Sequence, residues 1–201
     1  MIDGLRELGR VGVPTVLVNR MELGVEIPMV AVDNFGAMLG LCGHLVELGH
    51  RILTRWLESE VPDAVLAPLL HDALSFPVPL VSLDGPGWEG VHILELFYGP
   101  TLSFKDFGAR TMARLMAHFL RGRGERLTIL VATSGDTGSA VAHAFHGLDG
   151  YRVVVLFPKG KVSERQRRQM TTLGGNVLAL AVRGTFDDCQ RLAKEAFRDP
   201  G

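Results

Sequence analysis

The chain has 201 residues, 47% of them hydrophobic and 21% charged, and its 21 Lys+Arg against 22 Asp+Glu leave a formal charge of −1. That composition can bury a core, which excludes wholesale disorder, and the balanced charge gives no global attraction to nucleic acid or anionic lipid. No apolar run approaches the roughly 18–20 residues that cross a bilayer, and Met1-Ile2-Asp3-Gly4 lacks the basic and apolar regions of a signal peptide. Cys42 and Cys189 lie far apart inside apolar helical patterns, so the expectation is a soluble cytoplasmic protein with two reduced, buried thiols.

In chain order, short apolar runs predict strands at 14–18, 28–32, 78–83, 91–97, 127–133, 152–157 and 177–182. Several are nearly continuous Val, Leu and Ile, as in parallel strands covered on both faces. Helices are predicted at 5–10, 35–48, 64–73, 107–121, 139–146, 163–172 and 186–197. Met112, Leu115, Met116, Phe119 and Leu120 have the spacing of one buried helical stripe, and Cys189, Leu192, Ala193, Ala196 and Phe197 repeat it. From about Leu127 strands and helices alternate, which predicts an α/β fold with a parallel sheet and right-handed crossovers. The stretch from Leu53 to Gly90 is richer in proline, and a boundary is placed near residue 52.

Of four lysines, Lys105 stands alone between a predicted strand and helix, flanked by Phe104 and Phe107. A partly desolvated amine there can act as a nucleophile toward a carbonyl, including the aldehyde of pyridoxal phosphate. The plainer alternative is a surface lysine lying along a helix start. Thr128-Ile-Leu-Val-Ala-Thr-Ser-Gly-Asp-Thr-Gly-Ser139 reads as strand, small-residue turn and helix, with the helix expected from about Ser139. Gly135 and Gly138 permit close approach of a ligand, and the free N–H groups of the helix start suit an anion. The spacing fits neither the dinucleotide fingerprint nor a P-loop. A tight, capped strand-to-helix turn is the alternative. His143 and His146 lie three apart on a predicted helix with no third ligand, so structural roles are expected and no metal.

Glu95 and the run Thr101-Leu-Ser-Phe-Lys-Asp-Phe-Gly-Ala109 resemble the cofactor-attachment signature of the serine/threonine dehydratase group. More narrowly, Gly99-Pro-Thr-Leu-Ser-Phe-Lys-Asp106 is similar to the lysine motif of the threonine synthase family, with Tyr98 where that family has His. Ser134-Gly-Asp-Thr-Gly138, the run 152–163, Leu173-Gly-Gly-Asn176 and Gly184-Thr-Phe-Asp-Asp-Cys-Gln190 extend the resemblance over about 61–199. It implies the tryptophan synthase β-like fold, a three-layer sandwich around a parallel sheet. It also implies pyridoxal 5′-phosphate held by Lys105 as a Schiff base, with Lys105 shuttling protons. Ser134, Gly135, Thr137 and Gly138 would bind the substrate carboxylate beside the cofactor, with Asp136, like Lys105, among the cofactor-binding residues. The substrate implied is the small amino-acid phosphate O-phosphohomoserine, converted to threonine and phosphate. Lys159, Lys161, Arg165, Arg167 and Arg168 could attract its phosphate or form a solvated helix face.

Residues 3–52 instead resemble a fragment of the effector-binding domain of lactose-repressor-type regulators, a periplasmic-binding-protein-like fold. There Asp33-Asn34 would cap a helix that Gly49 ends. The expected organisation is thus a repressor-like fragment, 1–52, joined to a threonine-synthase-like lysine domain, 53–201. In that family the loop gripping the cofactor phosphate follows later in the chain, so impaired turnover is expected. Two other readings stand beside it, a non-enzymatic engineered or decayed α/β hybrid and a small-molecule-binding fragment of a transcription regulator.

Overall fold

A computed structural model describes residues 41–57, 60–83, 85–88 and 90–198. The strands expected at 14–18 and 28–32, the helix at 5–10 and the first residues of the helix at 35–48 lie outside these. Most of the repressor-like segment therefore lies outside them too.

Helix α1 (Leu41–Leu57) and helix α2 (Asp63–Ala73) pack together through Val46, Leu53 and Leu57 against Leu66 and Leu70, with Leu115 and Phe119 closing the cluster. Gly49 does not end a helix, as the sequence suggested. It lies inside α1, with Leu70 and Leu74 of the neighbouring segment at its flank. Packing on α2 outweighs the cost of about 1 kcal/mol for a glycine within a helix. The boundary expected near residue 52 falls inside α1.

The runs at 78–83 and 91–97 shrink to a short antiparallel hairpin, β1 (Leu80–Ser82) and β2 (His92–Leu94), with Val81 opposite Ile93. It is separate from the main sheet. Helix α3 (Lys105–Leu120) leads to the alternating half: β3 (Leu127–Ala132), α4 (Asp136–Phe145), β4 (Tyr151–Pro158), α5 (Glu164–Thr171), β5 (Val177–Val182) and α6 (Phe186–Ala196). The strands form a parallel sheet in the order β3-β4-β5, with Leu130, Val154 and Leu178 in register. This is the α/β parallel architecture that the alternation predicted.

The sheet has helices on both faces, giving three layers. On one side Ala109 and Ala113 of α3, Ala140, Ala144 and Phe145 of α4 and Met170 of α5 meet Val153, Val155 and Phe157. On the other, Cys189 and Ala193 of α6 cover Leu130, Val154, Leu156 and Val182. The buried face of α3 is therefore its alanine side, and Met112, at the head of the expected stripe, is exposed. Close contact between α3 and α4 favours small residues on both. Leu192 of α6 and Phe197, which follows its last residue, are likewise exposed, since the buried stripe of the helix reaches the sheet through Cys189 and Ala193 alone.

Candidate functional site

The segment before α3 closes on Asp106. This side chain is 1% exposed, and its carboxylate accepts from the Thr101 N–H at 2.9 Å and the Thr101 hydroxyl at 2.8 Å. A Cβ on residue 99 would overlap the Asp106 carboxylate, so glycine is required there by close approach. Leu102 takes a left-handed φ of 60°, alone among the described non-glycine residues, with its N–H bonded to Gly99 O at 3.0 Å. The chain thus turns tightly, and Lys105 begins α3 rather than preceding it, with its N–H donated to the Ser103 hydroxyl at 3.3 Å.

Lys105 Nζ lies 4.3 Å from the centroid of the Phe104 ring, which is 43% exposed, and makes no ion pair among the described residues. The ring face holds the ammonium without consuming a proton acceptor. Phe107, the other flanking ring, turns inward onto Phe76, edge-on at 4.8 Å. Tyr98 stacks on Phe97 and donates its hydroxyl to Glu95 at 2.8 Å, a bond that pushes the phenol above its ordinary pKa.

The glycine loop follows β3 at the strand's C-terminal end. Thr133 Oγ1 accepts the N–H groups of Gly135 and Gly138, both at 2.9 Å, and Gly135 has φ 145°, a conformation that L side chains rarely adopt. This turn starts α4 at Asp136, three residues before the expected Ser139. The N–H groups of Asp136 and Thr137 fall in the first helical turn, where no carbonyl of the helix can reach them. Gly135 and Gly138 are buried, while Ser134, Asp136 and Thr137 are exposed. The Ser139 hydroxyl points inward to Gly135 O at 3.0 Å.

Helix α5 joins the two segments. Gln166 Nε2 donates to Asp136 Oδ1 at 2.7 Å, and one turn on, Gln169 Nε2 donates to Thr101 O at 3.0 Å. Neither glutamine was singled out from the sequence. Ser163-x-x-Gln166 has the pattern of a capping box, so the cap was legible there and the contact with Asp136 was not. In the basic stretch, Arg167 hydrogen-bonds Glu164 and Arg168 forms a looser ion pair with it on the same helix, and these two are exposed like Lys159, Lys161 and Arg165. Among the described residues no group of three His, Cys, Asp or Glu could hold a metal ion, and no helix is long and apolar enough to cross a membrane.

These residues suit a carbonyl cofactor beside an anionic substrate, since they offer an amine outside any ion pair among the described residues and a helix start with open N–H groups. The chain belongs to the pyridoxal-phosphate dependent enzymes, whose family model matches residues 74–201. Within that class it is similar to threonine synthases. The enzyme from Haemophilus influenzae is 50% identical over 180 residues, 89% of this chain and 40% of that protein, and the Escherichia coli enzyme is 42% identical over 174. A match over 89% of the chain extends through residue 52 into the segment read as repressor-like. Among solved structures, the pyridoxal-phosphate-bound threonine synthase of Brucella melitensis superposes with a TM-score of 0.68 at 44% identity, over 77% of this chain and 34% of that one. The yeast enzyme gives 0.70 at 36% identity, over 84% and 36%. The chain spans about two fifths of the length of the curated relatives it matches.

Proposed function

We propose that this chain carries the lysine portion of a pyridoxal-phosphate-dependent threonine synthase, acting on O-phosphohomoserine to release phosphate and, by addition of water, to form threonine. The observation that carries the reading is the joining, through α5, of the Lys105 segment to the anion-suited loop Ser134–Gly138. The bound cofactor would supply an electron sink for carbanion charge. Lys105 Nζ would attach its aldehyde and, once displaced, carry protons to and from the substrate. Ser134, Gly135, Thr137 and Gly138 would hold the substrate carboxylate at the start of α4, with Asp136 at the edge of the cofactor. This portion takes in α1 as well as residues 53–201, because α1 packs on α2 across residue 52. A cytoplasmic location, supported by the buried Cys189 thiol, which makes no disulfide among the described residues, belongs to the same reading.

The test is incubation with pyridoxal phosphate, borohydride reduction and peptide mapping. The peptide holding Lys105 should carry the label, and Lys105→Ala should lose it. Equal labelling of Lys159, Lys161 and Lys194 would overturn the assignment. Phosphate release from O-phosphohomoserine, measured against Lys105→Ala, then tests the reaction itself.

A further inference from the structure

Gln166 is the residue through which α5 touches the glycine loop, and its hydrogen bonds fix which way its amide faces. Its carbonyl oxygen is occupied by the Ser163 N–H at 3.0 Å and the Ser163 hydroxyl at 2.9 Å. The amide nitrogen is thereby turned to the Asp136 carboxylate at 2.7 Å. The amide lies so close to Gly135 that any Cβ there would overlap it, which ties the glycine of the loop to this glutamine. The same helix also holds the lysine segment, through Gln169 and Thr101 O.

The contact matters electrostatically because Asp136 opens α4. A carboxylate at a helix start interacts well with the helix itself. Left free to rotate, however, it competes with an incoming anion for the same N–H groups and repels it. Held against α5, it leaves those groups to the ligand. Resting on the functional reading above, we propose that Gln166 is a positioning residue, which restrains the Asp136 carboxylate and keeps the start of α4 open to the carboxylate of the substrate.

The experiment uses the full chain without cofactor, with O-phospho-L-homoserine as the probe, and follows the amide chemical shifts of residues 134–138. Gln166→Glu keeps the α5 cap, since Ser-x-x-Glu is itself a capping box, but sets two carboxylates against each other. It should weaken the probe about tenfold, the effect of losing one charge-assisted hydrogen bond, with little change in melting temperature. Exchanging donor and acceptor in Asp136→Asn/Gln166→Glu should return affinity to within about twofold. Gln166→Met adds no charge and should also weaken the probe, by about threefold or more.

Unchanged affinity in Gln166→Glu or Gln166→Met would reduce Gln166 to a helix cap and overturn the proposal, as would failure of the double exchange to recover binding. Labelling of Lys105 separates this from the wider reading. If Lys105 labels and the Gln166 variants bind normally, only the positioning role falls.

Discussion

Around Asp106 a buried carboxylate answers two donors of Thr101, and the turn that delivers Lys105 is built on that exchange. Hydrogen bonds to a charged group are worth roughly 1.5–3 kcal/mol each. Asp106→Ala should therefore lose at least about 2 kcal/mol in a denaturant melt, whereas Asp106→Asn keeps one acceptor oxygen and should lose less. Gly99→Ala should act through the same carboxylate by displacing it, and combining it with Asp106→Ala should cost less than the sum of the two. A pH effect belongs to the residue scale as well. His143 is exposed by surface area, yet α3 crowds it with Asp106, Arg110 and Arg114. Burial chiefly, with the nearby arginines and His146, pushes it below the ordinary imidazole pKa. Because the folded value is the lower one, its contribution is complete above the unfolded pKa of about 6.5. It is lost as pH falls toward the folded value, where the unfolded chain binds the proton first. The exposure of the ring keeps this effect small. Melting curves between pH 7.5 and 5.5 should therefore fall slightly less steeply in His143→Gln.

The elements are held at their ends. Thr185 caps α6 by accepting from the Asp188 N–H, and Asp188 in turn accepts from Thr185 N at 2.8 Å. Those bonds hold the Asp188 carboxylate below its ordinary value, so its contribution is present above about pH 4 and lost as pH falls through the lowered value. Thr185→Ala should cost about 1 kcal/mol, and the loss should shrink in acid, as melts at pH 7 and pH 3 would show. Asn176 has a wider reach. Its amide oxygen accepts from Gly147 N at 2.9 Å, and its nitrogen donates to Phe145 O and Tyr151 O, tying the end of α4 to the start of β4. Asn176→Leu takes this partner from Gly147 N and Tyr151 O, while Phe145 O keeps the Leu148 N–H at 3.2 Å, and should destabilise by roughly 1–3 kcal/mol. Its unfolding should remain a single transition, because α4 and β4 share the main core.

Across the whole molecule, two arginines of α3 link the helical pair to the sheet body. Arg110 donates to Ala73 O at 2.7 Å and Asp72 O at 2.6 Å, capping the end of α2. Arg114 pairs with Asp72 at 2.7 Å and donates to Ala144 O at the end of α4. Through them the α1–α2 pair is set against the helix that starts at Lys105. A ligand held at Lys105 should therefore stabilise the molecule as one unit. Pyridoxal phosphate at a hundred times its dissociation constant should add about 2.7 kcal/mol. A matching rise in melting temperature is expected, and Lys105→Ala should remove most of it. A rise as large in that variant would mean that the cofactor binds without the lysine.

The sequence by itself determined the parallel α/β half, because β3 to α6 are specified by local periodicity and by caps such as Ser163 and Thr185 that act over three residues. It also singled out Lys105 and Ser134–Gly138, whose glycines mark turns within a single loop. Tertiary structure decided how those pieces meet. Gln166 reaches Asp136 over 30 positions and Gln169 reaches Thr101 over 68, separations at which no repeat in a sequence signals contact. The passage of α1 through Gly49 was hidden for a related reason, since the cost of a glycine is local and the packing on α2 that overrides it is not. The start of α4 moved to Asp136 because the Thr133 hydroxyl, pointing back from the end of β3, caps the turn before Ser139 is reached.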